Sequence, residues 1–122
     1  MTTPFKKQYS FTERKAESTR ILSKYSDRIP IIVEVDPRSK NLPMLDKKKF
    51  LCPHDLTVGQ FVFIIRKRIN LPPTKAIFLF VDNTLPQASS MLSYIYSEHQ
   101  DEDRFLYVVI AEENTFGNLK NL

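Results

Sequence analysis

The sequence predicts an α+β fold: a β-grasp, with mixed strands packed on one central helix, behind an N-terminal helical extension. Three observations lead there. Two capping-box sequences, Ser10-Phe-Thr-Glu13 and Thr57-Val-Gly-Gln60, each open a run with apolar residues at helical spacing. Apolar segments of strand length, bounded by proline-containing turns, lie between and after them. With the first helix set aside, the element order reads β-β-α-β-α-β. The 122 residues, 42% of them apolar, are enough for one domain with its own core.

Ahead of the first capping box, Pro4-Phe-Lys-Lys-Gln-Tyr9 reads as a short helical turn or a loose arm. The helix that Ser10 opens runs to about Tyr25, with Phe11, Ser18, Leu22 and Tyr25 on one stripe and Arg14, Lys15 and Lys24 turned to water. Asp27-Arg-Ile-Pro30 ends it, because proline disfavours helical geometry in the residue before it. Ile29, Ile31, Val33 and Val35 then alternate with Pro30, Ile32 and Glu34, the period of a strand. Residues 36–43 are turn and loop material, and residues 47–52 read as a second strand ended by Pro53. In the helix opened by Thr57, the residues Val58, Phe61, Val62, Ile65 and Ile69 share one face that must be buried. Arg66, Lys67 and Arg68 fill its last turn, where the macrodipole favours cations, and Leu71-Pro-Pro73 stops it. Residues 76–81 are apolar on both faces and read as an interior strand. Asp82-Asn-Thr84 reads as a turn, and Ser89 or Ser90 as the cap of a short helix carrying Met91, Leu92, Ile95 and Tyr96. Residues 105–110 read as the last strand, followed by an irregular tail.

Composition narrows the chemistry. One cysteine excludes an internal disulfide and any multi-cysteine zinc site. Two histidines and two glycines leave little for a catalytic triad or a phosphate-cradling loop. The longest uncharged apolar run, Phe105 to Ala111, has 7 residues, where a membrane span needs about 20. The start, Met1-Thr-Thr-Pro-Phe-Lys-Lys7, lacks the apolar stretch of a signal peptide, so a cytosolic address is expected. Charge is unevenly placed: residues 1–75 hold 16 Lys and Arg against 7 Asp and Glu, and residues 76–122 hold 2 against 7. That asymmetry points to a surface that meets something acidic, against the plainer reading of solvated faces that differ in sign.

Several side chains invite a chemical reading. Cys52 and His54 share a strand face, but Pro53 between them makes a rigid strand end, and a buried structural cysteine fits better than a nucleophile. His99 among Glu98, Asp101, Glu102 and Asp103 lacks the second nitrogen or sulfur ligand a metal would want. Lys47–Lys49 and Arg66–Arg68, with Phe50 and Tyr25 as stacking platforms, are compatible with nucleic acid, but no recognised binding pattern accompanies them. The strand Lys48-Lys49-Phe50-Leu51-Cys52 is sharper. At a sheet edge it can accept an added strand from a peptide, while its lysines discourage indiscriminate pairing. Gly117, five residues from the last one, is the other sharp feature, since a residue without Cβ can thread a narrow active-site tunnel.

These stretches together resemble the autophagy ubiquitin-like modifiers, the GABA-receptor-associated-protein family. The resemblance spans Phe11 to Gly117. It rests on Arg14-Lys-Ala-Glu-Ser18, Asp27-Arg-Ile-Pro30, Asp46-Lys-Lys-Lys-Phe-Leu51, Asp55-Leu-Thr-Val-Gly-Gln-Phe61 and Ile65-Arg-Lys-Arg-Ile69. Leu71-Pro-Pro73, Asn83-Thr-Leu-Pro86, Phe105-Leu-Tyr107 and Glu113-Asn-Thr-Phe-Gly117 complete it.

The resemblance implies a ubiquitin-like β-grasp domain over residues 26–116, a helical extension over 1–25 packed on it, and a conjugation glycine with a removable tail over 117–122. It implies that a cysteine protease cuts the Gly117–Asn118 bond. E1-like and E2-like enzymes then carry Gly117 as a thioester to phosphatidylethanolamine on the autophagosomal or vesicle membrane, with the unmodified form cytoplasmic. Two lipid chains, at about 0.8 kcal/mol per buried CH₂, anchor stably where one is marginal. The protein is then a passenger, not an enzyme, and needs no metal or other cofactor.

The resemblance further implies receptors and adaptors carrying an aromatic and an aliphatic residue three apart. Glu17, Ile21, Pro30, Ile32, Lys49, Leu51 and Phe105 would form the aromatic pocket. Phe50, Cys52, Pro53, Leu56, Phe61 and Ile64 would form the aliphatic one. Arg28, Lys47 and Arg68 would meet acids beside the motif, and no specific nucleic acid is expected. Ile32, Phe61 and Phe105 would be largely core in any β-grasp. Three features depart from the family's common pattern: a 37–43 loop one residue longer, Phe50 and Cys52 where Tyr and Val are frequent, and Asn118 after the glycine. The alternative is a ubiquitin-like interaction scaffold that is never conjugated.

Overall fold

The computed structural model describes residues 3–113, so Gly117, Asn118 and the 117–122 tail lie outside the described residues. Helix α1 (Phe5–Gln8) is a single turn, and α2 (Phe11–Lys24) follows it. Then come β1 (Arg28–Val35), β2 (Lys49–Pro53), α3 (Val58–Arg68), β3 (Ile77–Phe80), α4 (Leu92–His99) and β4 (Leu106–Glu112). Both capping boxes form as read. Ser10 Oγ accepts from Glu13 N at 3.2 Å while Glu13 Oε1 accepts from Ser10 N at 2.9 Å. Thr57 Oγ1 and Gln60 Oε1 make the same exchange at 3.1 and 2.9 Å.

The sheet order is β2-β1-β4-β3, with β1 antiparallel to β2 and parallel to β4, and β3 antiparallel to β4. This is the ubiquitin-like arrangement the element order predicts. Strand β1 is buried continuously from Ile29 to Val33 because both of its faces are covered. Ile29, Ile31 and Val33 pack with Phe61 and Ile65 of α3 in the main core. On the other face Ile32 joins Phe5, Ile21 and Phe105, where the Phe5 and Phe105 rings meet edge-on at 5.4 Å.

Three expectations need correction. On α2, Phe11 and Tyr25 are 44% and 37% exposed. The buried face is Arg14, Ser18 and Ile21 instead. The reason is electrostatic: Arg14 Nε donates to Asp103 Oδ2 at 2.7 Å, so a cation expected in water is stabilised inside. Asp103, wholly buried, also accepts from Phe105 N at 2.9 Å and from the Tyr107 hydroxyl. Ser18 Oγ donates to its carbonyl.

The second correction concerns β3, which lies at a sheet edge, not inside. Ile77 and Leu79 are buried, whereas Phe78 and Phe80 on the other face are half-buried. A short run of apolar residues does not reveal by itself which face is covered.

The third concerns α4, which has no serine cap. Its N-cap is Met91, and its first-turn donors Leu92 N and Ser93 N go to the carbonyls of Leu56 and His54 at 2.8 and 3.2 Å. Reciprocally, Val58 N and Gly59 N of α3 donate to Ser90 and Ala88 carbonyls, both at 2.9 Å. The two helix starts thus satisfy their donors on each other's flanking backbone. A Cβ on Gly59 would stand 3.3 Å from the Ala88 carbonyl oxygen, so glycine permits this approach.

The turn at Asp82-Asn83 is as read. Both residues have positive φ, 48° and 62°, and Val81 and Thr84 exchange backbone hydrogen bonds at 2.9 and 3.0 Å across it.

Removing the carboxylate of Asp103 leaves Arg14 unpaired in a buried site. Asp103→Ala is therefore expected to lower unfolding free energy in urea by about 3–5 kcal/mol. Phe11→Ala should cost about 1 kcal/mol or less.

Candidate functional site

Strand β2 has β1 on one side only. Its register with β1 pairs Cys52 with Ile29 and Phe50 with Ile31. The ladder continues at both ends, where Val33 N donates to the Lys48 carbonyl at 2.8 Å and His54 N donates to the Asp27 carbonyl at 3.2 Å. Since hydrogen-bonded pairs alternate along an antiparallel ladder, the even-numbered residues Phe50 and Cys52 turn their backbone groups toward β1. Lys49 and Leu51 turn theirs outward, and Pro53 brings a carbonyl but no N–H. Among the described residues, the Leu51 carbonyl accepts only from the Arg28 guanidinium, at a long 3.5 Å.

Side chains alternate the other way. Lys49 and Leu51 stand across from Ile32 and Pro30 on the face that α2 covers. Ile32, Ile21 and Phe105 are fully or almost fully buried there, and Leu51 packs on them half-buried. The predicted aromatic-pocket residues are thereby brought together, with Ile32, Ile21 and Phe105 as floor. Glu17 and Lys49 form the rim, joined at 2.8 Å, and Arg20 takes the same Glu17 oxygen at 2.7 Å. These cations, Lys49 foremost and then Arg20, hold the Glu17 carboxyl below its ordinary range. A cleft of about 270 Å³ opens beside them, lined by Phe5, Tyr9, Glu13, Arg14, Glu17 and Lys49.

Phe50 and Cys52 point to the opposite face, onto α3. The Phe50 ring meets the Phe61 ring edge-on at 5.7 Å, and all three side chains belong to the core. Leu56 is half-buried against the same core, and Ile64 is 39% exposed. Ile64 follows Phe61 by one helical turn. The register sets Pro53 opposite Arg28, in phase with Leu51, so Pro53 does not share the face of Phe50 and Cys52. Of the predicted cations, Lys47 and Arg68 lie over the Phe50 ring at 5.3 and 5.9 Å from its centroid, while Arg28 stands at the other end beside Asp27.

The competing chemistries find little here. Cys52 is buried, and burial pushes its thiol up to about 12 against the opposing pull of Arg28 and Lys47. His99 Nδ1 lies 2.7 Å from Asp82 Oδ2, where the sequence suggested only a solvated helix end. Among the described residues no group of three or more His, Cys, Asp or Glu converges on a metal site, and no helix is long and apolar enough to cross a membrane. The cavity of about 420 Å³ beneath the β1–β2 loop, lined by Val33, Val35, Leu42 and Leu45 among others, holds none of the predicted site residues.

What the fold defines is a ubiquitin-like protein with two added N-terminal helices and an edge strand, β2, set between two side-chain faces. Its sequence matches, over residues 13–117, the profile of the family described as "Autophagy protein Atg8 ubiquitin like". It is 58% identical over 119 residues to autophagy-related protein 8 of Mycosarcoma maydis, covering 98% of this chain and 100% of that one. It is 56% identical over 117 residues to the Saccharomyces cerevisiae protein of the same name, covering 96% and 99%. Among solved structures, Trypanosoma brucei ATG8 superposes with a TM-score of 0.85 at 36% identity, over 93% of this chain and 97% of that one. Plasmodium falciparum Atg8, solved in complex with a P. falciparum Atg3 peptide, gives 0.82 at 36% identity over 91% and 99%. The chain belongs to the Atg8 family of autophagy ubiquitin-like proteins.

The placement of Cys52 has a direct readout. With the thiol pushed up to about 12 and enclosed, a maleimide at pH 7 should label the folded chain at least about 100-fold more slowly than the urea-unfolded chain.

Proposed function

We propose that this chain is a conjugated autophagy modifier that carries a ligand strand on its β2 edge. Cleavage between Gly117 and Asn118 frees the glycine carboxyl. An E1-like enzyme activates that carboxyl at the expense of ATP and, with an E2-like enzyme, carries it as a thioester. The amine of phosphatidylethanolamine then displaces the enzyme's thiol to give an amide, which moves the protein from cytoplasm to autophagosomal and vesicle membranes. The chain supplies no catalytic group to these steps. It is the substrate of its protease and conjugating enzymes, and the membrane bond is covalent.

The observation that carries the docking half is the outward turn of the Lys49 and Leu51 backbone groups. An added strand pairs with such an edge through its main chain, which gives affinity, and selects through its side chains. Successive residues of a strand point to opposite faces, so anchors three apart fall on opposite faces. One reaches the α2 side, over Glu17, Ile21, Pro30, Ile32, Lys49, Leu51 and Phe105. The other reaches the α3 side, over Phe50, Cys52, Leu56, Phe61 and Ile64, with Pro53 at the strand end. An aromatic-x-x-aliphatic receptor or adaptor motif has that spacing. Arg28, Lys47 and Arg68 receive the acids beside it. The Plasmodium relative, solved in complex with an Atg3 peptide, supports a conjugation-enzyme partner for this chain.

The conjugation half is tested in the organism's own cells. Gly117→Ala should leave the domain folded and abolish membrane attachment. A Gly117→Ala chain still found on membranes, or a wild-type chain that keeps residues 118–122 throughout by intact mass, would favour the unconjugated scaffold. The docking half is tested by titration with an aromatic-x-x-aliphatic peptide. Leu51→Ala should weaken binding about 5- to 30-fold, as loss of a central apolar contact does, and unchanged affinity would remove the edge assignment.

A further inference from the structure

The cations beside the β2 edge are not equally available. Lys49 is held by Glu17 at 2.8 Å, and the same carboxylate oxygen also holds Arg20. Arg28 stands 4.0 Å from Asp27. Arg68 Nε lies 3.1 Å from Asp46 Oδ1 while its guanidinium covers the Phe50 ring. Among the described residues, Lys47 comes within ion-pair distance of no carboxylate.

Asp46 differs from Glu17 in kind. Glu17 is half-buried, holds two cations and forms the rim of the α2-side cleft. The Asp46 side chain is 73% exposed, sits in the loop leading into β2, and has Arg68 as its ion-pair partner. A ligand carboxylate that reaches Arg68 must displace Asp46, and the exchange trades one carboxylate–guanidinium pair for another. The number of ion pairs is conserved, so the ligand's charge gains little there.

We propose that Asp46 is a specificity-determining residue of the edge, an internal rival for Arg68 that limits how much a ligand's acidic flank adds to binding. The inference rests on the docking reading above. It separates the two acidic-flank cations that lie over the Phe50 ring: Lys47, ready for a ligand acid, and Arg68, ready only after Asp46 lets go.

The test uses the full chain and two synthetic aromatic-x-x-aliphatic peptides, one flanked by Glu on both sides and one with Gln in those places. Asp46→Asn keeps the side chain's shape and removes its charge. It should tighten binding of the Glu-flanked peptide about two- to five-fold, the range of an exposed ion pair. It should leave the Gln-flanked peptide unchanged, and the gain should disappear in an Asp46→Asn, Arg68→Gln double variant or in 1 M salt, where the screening length falls to about 3 Å. Equal effects on both peptides, weaker binding of the Glu-flanked one, or a gain that survives Arg68→Gln would overturn the proposal. Leu51→Ala, titrated alongside, separates the two failures. If Leu51→Ala weakens binding while Asp46→Asn does not discriminate, the rivalry is wrong and the edge stands. If Leu51→Ala has no effect, the edge itself is wrong.

Discussion

The structure depends on one asymmetry of backbone hydrogen bonding: β1 has a strand on each side and β2 has one on one side only. In the order β2-β1-β4-β3, β1 has a strand on each side and helices over both faces. That burial fixes its register against β2, because a slip of one residue would turn Phe50 and Cys52 out of the main core. A fixed register in turn fixes which residues of β2 face outward with their N–H and C=O groups. The placement of the open edge is therefore a consequence of core packing.

The two N-terminal helices cover the sheet face opposite α3. Without them Ile32 and Phe105 would face water, and the α2-side cleft would have no wall. They are held by a polar network as well as by Phe5 and Ile21. Arg14 Nε binds Asp103 and its Nη1 donates to the Tyr9 carbonyl at 2.8 Å, while Lys6 pairs with Asp101. Tyr107 and Phe105 complete the contacts to Asp103, so the same few residues secure the helices and position Phe105 in the small core beneath them. A buried ion pair of this kind contributes more to orientation than to net stability, because desolvation offsets much of its Coulomb attraction.

Much of this was legible in the residues. Both capping boxes, the apolar face of α3, the Asp82-Asn83 turn and the element order were readable because each rests on local chemistry or on periodicity over more than one turn. What sequence could not supply was information about partners far along the chain. Arg14 reads as a surface cation until Asp103, 89 positions on, is seen beside it. Residues 76–81 read as interior because six apolar residues carry no sign of which face is covered. The serine cap on α4 was a sound local inference displaced by backbone carbonyls from 54–56. In the site, the resemblance set Lys49 and Leu51 apart from Phe50 and Cys52, and the register puts the two pairs on opposite faces of β2. The phase of Pro53 and the pairing of Asp46 with Arg68 needed the register and the fold. The spacing Asp46 to Arg68 carries no pattern that would have flagged it.

The central proposal is that the outward-turned backbone groups of Lys49 and Leu51 pair with a ligand strand. Residue-resolved amide hydrogen exchange, in the free chain and with an aromatic-x-x-aliphatic peptide at saturation, reads this directly. The account expects Phe50 and Cys52 amides to be slow in both states, and Lys49 and Leu51 amides to be fast when free and slow when bound. Lys49 and Leu51 amides that exchange equally fast with the peptide bound would contradict it.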